Sequence, residues 1–264
     1  MVSTRSKWLH RLLVIAYVGI LVMVPLFVVS YRTIAGGWSE FWSAITSRDA
    51  VTAFRLTFEI AFAAVAINTV FGVGVALLVT RYRFRGRRLL GPLTDLSVSV
   101  SPIVVGLALV LVYGAGGWFG LQPSQVIGAT PGMILATVFV SLPLVVRSLV
   151  PVLQEVGTEQ EQAAASLGAG WYATFRRITL PTIRAALGYG IVLSLARCIG
   201  EFGAVLVVSG GFQSSETAPL RVANLLQIDF KPDQAYAIAF VLMLVSVLAI
   251  VTSALLQRRR KAVR

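Results

Sequence analysis

Few residues in this 264-residue chain have side chains suited to catalysis, and their spacing does not form a catalytic site. The only histidine is His10 and the only cysteine is Cys198, so neither a Ser-His-Asp set nor a zinc-binding cluster can be assembled. None of the three lysines, Lys7, Lys231 and Lys261, follows a glycine-rich turn that would bind the phosphates of ATP. The sequence therefore predicts a protein that is not an enzyme and has no cofactor or metal of its own.

Two ionisable residues, Arg197 and Glu201, lie inside an apolar run. A charge at the centre of a membrane helix costs about 2.5–3.5 kcal/mol on insertion scales, so each needs a compensating partner or a function. Residues four apart share one helix face, so the two can form an ion pair or line a transport pathway. Ala196, Gly200 and Ala204 repeat at the same spacing, which favours close packing of this helix inside a bundle.

The composition decides which elements must hold these residues. Hydrophobic residues make up 57% of the chain and charged residues 13%, against about 25% charged residues in soluble domains. This excludes a soluble enzyme or a disordered protein and predicts an all-α membrane protein. About 20 apolar residues cross a bilayer as a helix. Six runs meet that length, so we expect six transmembrane helices, at residues 12–31, 56–80, 93–113, 131–150, 183–209 and 235–256.

The basic residues are placed asymmetrically along these runs. Lysine and arginine total 23 against 11 acids, and most lie in the N-terminus, the 81–88 loop, the 151–182 loop and the 258–264 tail. Excess positive charge marks cytoplasmic segments. Both termini are therefore expected in the cytoplasm, in a multi-pass protein of the cytoplasmic membrane, and no nucleic-acid partner is needed to explain the charge. The first run is interpreted as an uncleaved helix, with a cleaved signal peptide as the alternative.

The 151–182 loop is too polar to span a membrane and has the pattern of two short helices. Thr158 and Glu161 predict a capping box that starts the first helix. Gly168 and Gly170 predict left-handed residues that end it. A second, amphipathic helix should follow, and Pro181 is expected to break the chain before the fifth span. The loop would either receive another protein against its small alanines or lie on the membrane surface.

One motif in this loop resembles the cytoplasmic loop of ABC importer permeases. The matching positions are Ala163, Ala164, Gly168, Ile178, Leu180 and Pro181. The resemblance implies that the loop docks on a separate ATPase subunit, which binds and hydrolyses ATP. At the acidic position of the motif this chain has Gln162, immediately after Glu161, which leaves open which of these two side chains contacts the ATPase.

Residues 79–114 and 196–211 are similar to the permeases of sulfate and thiosulfate importers, and the Gly200–Ala204 string is more similar to their W-type than their T-type subunit. Molybdate and tungstate permeases share this string and remain the alternative. The resemblance covers residue 54 to the end of the sixth span. It implies a type I importer fold and makes Arg197, Glu201, Phe202 and Gly203 candidates for a pathway or gate.

The expected function is therefore that of a permease subunit in an ATP-driven importer of sulfate or thiosulfate. The implied partners are an ATPase dimer, a second permease subunit of the T-type and an extracytoplasmic sulfate-binding protein. The predicted organisation is an N-terminal region with the first helix at 1–53, a permease core at 54–257 and a basic tail at 258–264. An ATP-independent channel is the rival class, and the long docking-type loop argues against it.

Overall fold

The computed structural model describes residues 4–114, 116–119, 126–211 and 215–262. Within these ranges the chain is helical and contains no strand, which confirms the all-α prediction. The α-helices are α1 (Thr4–Ala35), α2 (Trp38–Thr46), α3 (Arg48–Arg81), α4 (Arg87–Ser99), α5 (Pro102–Tyr113), α6 (Thr130–Val156), α7 (Glu159–Ser166), α8 (Trp171–Thr174), α9 (Leu180–Ile199), α10 (Gly203–Val208), α11 (Ala218–Gln227) and α12 (Pro232–Ala262). A π-helical turn, Phe175–Thr179, joins α8 to α9.

Five helical segments of the described chain are long and apolar enough to cross a membrane. They lie in α1, α3, α6, the continuous α8–α9 unit and α12. The pair α4 and α5, bent by 105°, adds a sixth span when the two helices are counted as one. The chain is thus a multi-pass membrane protein with five unbroken spans, and the predicted number of six is reached when the bent pair is counted as one span.

Three long helices, α3, α6 and α9, pack against one another and form the centre of the bundle. Half of the apolar stretch of α6 is buried, whereas none of that of α1 is. Small residues permit the close approach: a Cβ on Gly72 of α3 would lie 2.8 Å from Val145 of α6. Helix α1 packs on the outside, against α12 and α2, and Thr33 donates a hydrogen bond to the Tyr236 carbonyl at its end.

The bundle has two distinct ends. At one end α3 finishes, α6 finishes and α9 begins, and Arg81 donates a hydrogen bond to the Leu153 carbonyl at 2.9 Å. At the other end the Ala218 amide donates to Thr57, which joins α11 to α3. The predicted domain division after residue 53 falls inside α3, four residues before Thr57.

The segment 210–231, between the fifth and sixth predicted spans, contains helix α11 in its second half. Helix α11 begins with Pro219 in its first turn, where the missing amide is not needed. It buries Leu220 and Leu225 against the bundle. Arg221 on this helix lies 3.4 to 3.5 Å from the carboxylates of Asp49, Glu216 and Asp229. Residues 212–214 of the segment lie outside the described residues.

The third span is not the straight helix predicted for 93–113. Helix α4 ends at Ser99, Val100 and Ser101 adopt extended conformations, and α5 starts at Pro102. Proline lacks an amide donor and disfavours helical geometry in the residue before it. The helix axis therefore turns at this point.

Candidate functional site

Helix α7 lies where the sequence predicts the first loop helix, but its start is built differently. The predicted capping box is wrong because Thr158 makes no capping hydrogen bond to the backbone. Its hydroxyl instead accepts a hydrogen bond from the Gln162 side-chain amide at 2.9 Å. Because α6 continues to Val156, the surface segment is shorter than the predicted 151–182 loop. We call residues 157–181 the elbow.

Glu161 turns toward the bundle and away from solvent. One carboxylate oxygen lies 2.8 Å from Arg81 Nε, and the other accepts a hydrogen bond from the Thr179 hydroxyl at 2.8 Å. Gln162, the next residue, is exposed. Of the two side chains that the sequence left as alternatives for docking, Glu161 therefore contacts the bundle and Gln162 faces solvent.

A left-handed glycine ends α7 as predicted. Gly168 has φ +83°, and the Ala169 amide donates back to the Ala164 carbonyl at 3.0 Å. This arrangement satisfies carbonyls at the helix end and favours glycine because a Cβ is strained at positive φ. The same prediction for Gly170 is wrong, since its φ is −68° and it starts α8 in an extended conformation.

Pro181 does not break the chain before the fifth span. Helix α8, the π turn and α9 run continuously from Trp171 to Ile199. In the π turn the Leu180 amide bonds to the Phe175 carbonyl, five residues back. This wider turn accommodates the missing proline amide and relieves the clash of its ring with the preceding turn. The elbow therefore passes into the bundle without a hinge.

The outer surface of the elbow is formed by small and apolar side chains. Ala163 and Ala165 are exposed, and Ala164 is half-buried. Leu167 and Trp171 protrude, with 89% and 80% of each residue exposed. Two of the other motif residues, Ile178 and Leu180, are partly buried on the inner side. A surface of this kind suits close contact with another protein.

The predicted ion pair at the far end of α9 is present. Arg197 Nη1 lies 2.5 Å from Glu201 Oε2. The Glu201 side chain is 2% exposed and that of Arg197 is 38% exposed, so only the cation reaches an open surface of the single chain. Pairing lowers the cost of placing both charges at membrane depth.

The fifth span breaks at this pair, contrary to the predicted continuous helix at 183–209. Helix α9 ends at Ile199, and α10 begins at Gly203. Glu201 Oε1 accepts a hydrogen bond from the Ala204 amide at 3.0 Å, which takes up a donor that the short helix leaves free. Ala196, Gly200 and Ala204 consequently do not form one helical ridge. Phe202 lies at the break and is partly exposed.

The two broken spans meet each other. A Cβ on Gly203 would lie 3.2 Å from Cβ of Pro102, and one on Gly106 would lie 2.8 Å from the Ala204 carbonyl oxygen. We call residues 100–102 and 200–203 the break region. Irregular backbone at membrane depth persists only where it is buried in protein or lines a water-filled cavity. This geometry makes the break region, with Arg197 beside it, the candidate pathway or gate.

Sequence reasoning missed two polar groupings. Asn68 donates a hydrogen bond to Ser141 at 2.7 Å, and Cys198 lies 3.2 Å from the same hydroxyl, which links α3, α6 and α9. An asparagine in an apolar helix was the available signal for this network. The contact between Arg81 and Glu161 had no signal, because 80 residues separate them. Among the described residues no three His, Cys, Asp or Glu side chains cluster to hold a metal ion.

Comparison with known families decides the class. A model of the binding-protein-dependent transport system inner membrane component family matches residues 68–262. The chain belongs to this family. It is 41% identical to the sulfate transport system permease protein CysW of Synechococcus elongatus, covering 92% of this chain and 86% of the relative. It is also 41% identical to CysW of Escherichia coli, covering 90% and 84%.

CysT of Salmonella typhimurium is a further relative, 36% identical over 92% of this chain and 89% of its own length. These identities confirm the resemblance to CysW-like permeases of ABC importers. A bacterial ABC transporter that imports the acidic polysaccharide alginate matches the structure with a TM-score of 0.77 and 15% identity, over 97% of this chain and 96% of that one. At this identity the likeness shows the fold, and it confirms the type I importer architecture.

Proposed function

We propose that this chain is one permease half of an ABC importer that carries sulfate or thiosulfate across the cytoplasmic membrane. The relatives named as sulfate transport permeases support the substrate. The CysW-like and CysT-like relatives support pairing with a second, T-type permease subunit. A related alginate transporter has been solved with its periplasmic binding protein, which supports an extracytoplasmic sulfate-binding partner here.

The elbow is the observation that carries the proposal. An exposed α7 with small and apolar side chains is joined by the turn at Gly168 to α8, and α8 continues through the π turn into α9 in the centre of the bundle. This arrangement suits docking on an ATPase subunit that hydrolyses ATP, because a displacement of the elbow reaches the far end of α9 through the continuous α8–α9 unit. The chain itself would perform no covalent chemistry and would bind no nucleotide.

The orientation follows from the charges around the elbow. Arg81, Arg83 and Arg85 lie at the end of the bundle where the elbow sits, and Arg176 and Arg177 lie within the elbow. By the positive-inside rule this end faces the cytoplasm, together with both termini. The ATPase dimer would then bind from the cytoplasm, and the binding protein would approach the opposite end, near α11.

In the proposed cycle the ATPase subunits close on ATP and displace the elbow. The continuous α8–α9 unit carries this displacement to Arg197 and Glu201, where α9 ends. The break region then rearranges against its neighbours and switches the pathway between inward- and outward-facing states. Arg197, Glu201, Phe202 and Gly203 are the residues we propose to line or gate the pathway.

Reconstitution tests the proposal directly. The purified chain is placed in vesicles with its T-type partner, the ATPase subunits and the sulfate-binding protein, and uptake of labelled sulfate is measured with and without ATP. We expect uptake only with ATP, and competition by thiosulfate stronger than by molybdate or tungstate. The reverse order of competition would indicate a molybdate or tungstate importer. Equal uptake by vesicles with this chain alone and no ATP would indicate a channel.

A further inference from the structure

A largely buried ion pair, with side chains 10% and 20% exposed, anchors the elbow to the helix bundle. Arg81 is the last residue of α3, and its side chain is 10% exposed. Its Nε atom lies 2.8 Å from Glu161 Oε2 without the alignment of a hydrogen bond, and its Nη1 atom donates to the Leu153 carbonyl at 2.9 Å. Thr179 completes the group by donating to Glu161 Oε1. We call Arg81, Glu161 and Thr179 the clasp.

The Thr179 hydroxyl has a different hydrogen-bond partner from those of many other threonines in these helices. Thr57, Thr69, Thr80 and Thr182 each donate their hydroxyl to the carbonyl four residues back in the same helix. Thr179, at the end of the π turn, donates instead to a carboxylate on another helix. The hydroxyl is also buried, so this bond joins the start of α9 to α7 in a place that water reaches poorly.

The clasp joins separate helices at one carboxylate. Glu161 lies on α7, Arg81 on α3, and Thr179 in the turn that continues into α9, while Arg81 also contacts the end of α6. Both Glu161 oxygens are engaged inside the protein. Loss of this carboxylate would leave the Arg81 cation buried without its partner, which strongly disfavours the same arrangement.

We infer that Glu161 is a positioning residue that holds α7 to α3 and α9 through Arg81 and Thr179, so that a displacement of α7 moves both inner helices together. Gln162, exposed beside it, is then the residue that faces the ATPase at the motif position. This inference rests on the proposed function of the elbow. It gives Arg81 and Thr179 a function in coupling ATP hydrolysis to transport, although neither residue belongs to a recognisable motif for this function.

The first test separates positioning from docking. The transporter is assembled in vesicles with its ATPase subunits and sulfate-binding protein, and sulfate uptake per ATP hydrolysed is measured for Glu161→Gln. We expect this ratio to fall about tenfold while the ATPase subunits still co-purify with the chain. Glu40→Gln, which changes an exposed carboxylate on α2 outside the elbow, is the control and should change the ratio by no more than about twofold. An unchanged ratio, or loss of co-purification, for Glu161→Gln would overturn the inference.

Thr179 gives a milder test, in case Glu161→Gln inserts poorly. Thr179→Val removes the hydroxyl at nearly constant volume and should lower the same ratio, whereas Thr179→Ser keeps the donor and should restore it. Equal ratios for the two variants would contradict the clasp.

Hydrogen exchange of the isolated chain in detergent provides a readout independent of transport. Glu161→Gln and Thr179→Val should speed exchange of the α7 amides by about tenfold, and Glu40→Gln should not. Protection that is equal in all three variants would show that the clasp does not hold α7. Failure of wild-type vesicles to take up sulfate would instead contradict the proposed function, and the exchange experiment would still decide on the clasp.

Discussion

Two prolines enter spanning segments of this chain with opposite results. At Pro102 the span turns by 105° after two extended residues, whereas at Pro181 the helix continues through a π turn into α9. The elbow is therefore continuous with the bundle, and the break region is not. We therefore expect the two regions to behave differently. The elbow transmits a displacement to α9, and the backbone rearranges in the break region.

Neighbouring contacts account for the difference. Pro181 lies two residues after Thr179, whose hydroxyl donates a hydrogen bond to Glu161. This bond holds the π turn in place, so the chain keeps helical geometry past the proline. Pro102 lies against Gly203 of the second broken span, where the lack of a side chain lets the two interruptions meet. Proline thus separates two helices at Pro102, where the chain packs against the second broken span. At Pro181 the helix continues, because the adjoining π turn is held by the hydrogen bond from Thr179 to Glu161.

Charge reversal in the break region should have the largest effect. Glu201→Lys would place a cation beside Arg197 in a buried site and remove the acceptor for the Ala204 amide, at a cost of about 3 kcal/mol. We expect loss of assembly or of uptake, measured as yield of the assembled transporter and uptake of labelled sulfate. Glu216→Lys, two residues before α11, is the control and should be milder. Equal losses of assembly or uptake in Glu201→Lys and Glu216→Lys would contradict a gating function of the break region.

Close packing between the two broken spans, next to the break region, can be tested by adding one methyl group. Gly106→Ala would push its Cβ to 2.8 Å from the Ala204 carbonyl oxygen and should destabilise the protein by roughly 2 kcal/mol. Gly74→Ala is the matched control, because no atom lies within 4 Å of its Cβ position. Thermal unfolding of the two variants in detergent compares them. A Gly106→Ala protein as stable as Gly74→Ala would contradict the packing described here.

At the turn of the elbow, a substitution of Gly168 should act only through backbone strain, because no neighbouring atom would be contacted. A valine at Gly168 meets no atom within 4 Å but is strained at φ +83°, by roughly 2 kcal/mol. We expect Gly168→Val to uncouple ATP hydrolysis from uptake while the protein still inserts. Gly170→Val is the control, because that residue has equally open surroundings and negative φ. Normal uptake by Gly168→Val at normal expression would count against docking at the elbow.

The two prolines themselves should give the smallest effects and the most direct comparison. Pro181→Ala should change uptake by no more than about twofold, because Glu161 still holds Thr179 and the helix is already continuous. Pro102→Ala should slow uptake more, since it removes the residue that keeps the two interruptions in place. Parallel uptake assays decide between them, and a larger effect at Pro181 would reverse the comparison.

The sequence predicted the elements whose causes are local. Apolar runs indicated the spans, the glycine at 168 indicated the end of α7, and the four-residue spacing indicated the pair of Arg197 with Glu201. These features depend on residues close together in the chain, so their physical causes are visible in a short window. Membership of the permease family was also predictable, because its motif residues lie in the correct loop.

The remaining features depend on contacts between distant segments. Proline at 102 and proline at 181 give the same local signal, and only the neighbours that fold against them distinguish a bend from a continuous helix. Glu161 gave the signal of a capping box, but the buried arginine at 81 attracts its carboxylate more strongly than the helix start does. No pattern within one window of sequence indicates such a competition.

The absence of a hinge between α8 and α9 makes the whole segment a lever. Its 29 residues extend over about 43 Å at 1.5 Å per residue. If the segment rotates by about 5° about its near end, the opposite end moves through an arc of about 4 Å, somewhat more than the diameter of a water molecule. A small rotation at the surface is thus large enough, at the far end, to separate two packed atoms and admit a small solute between them.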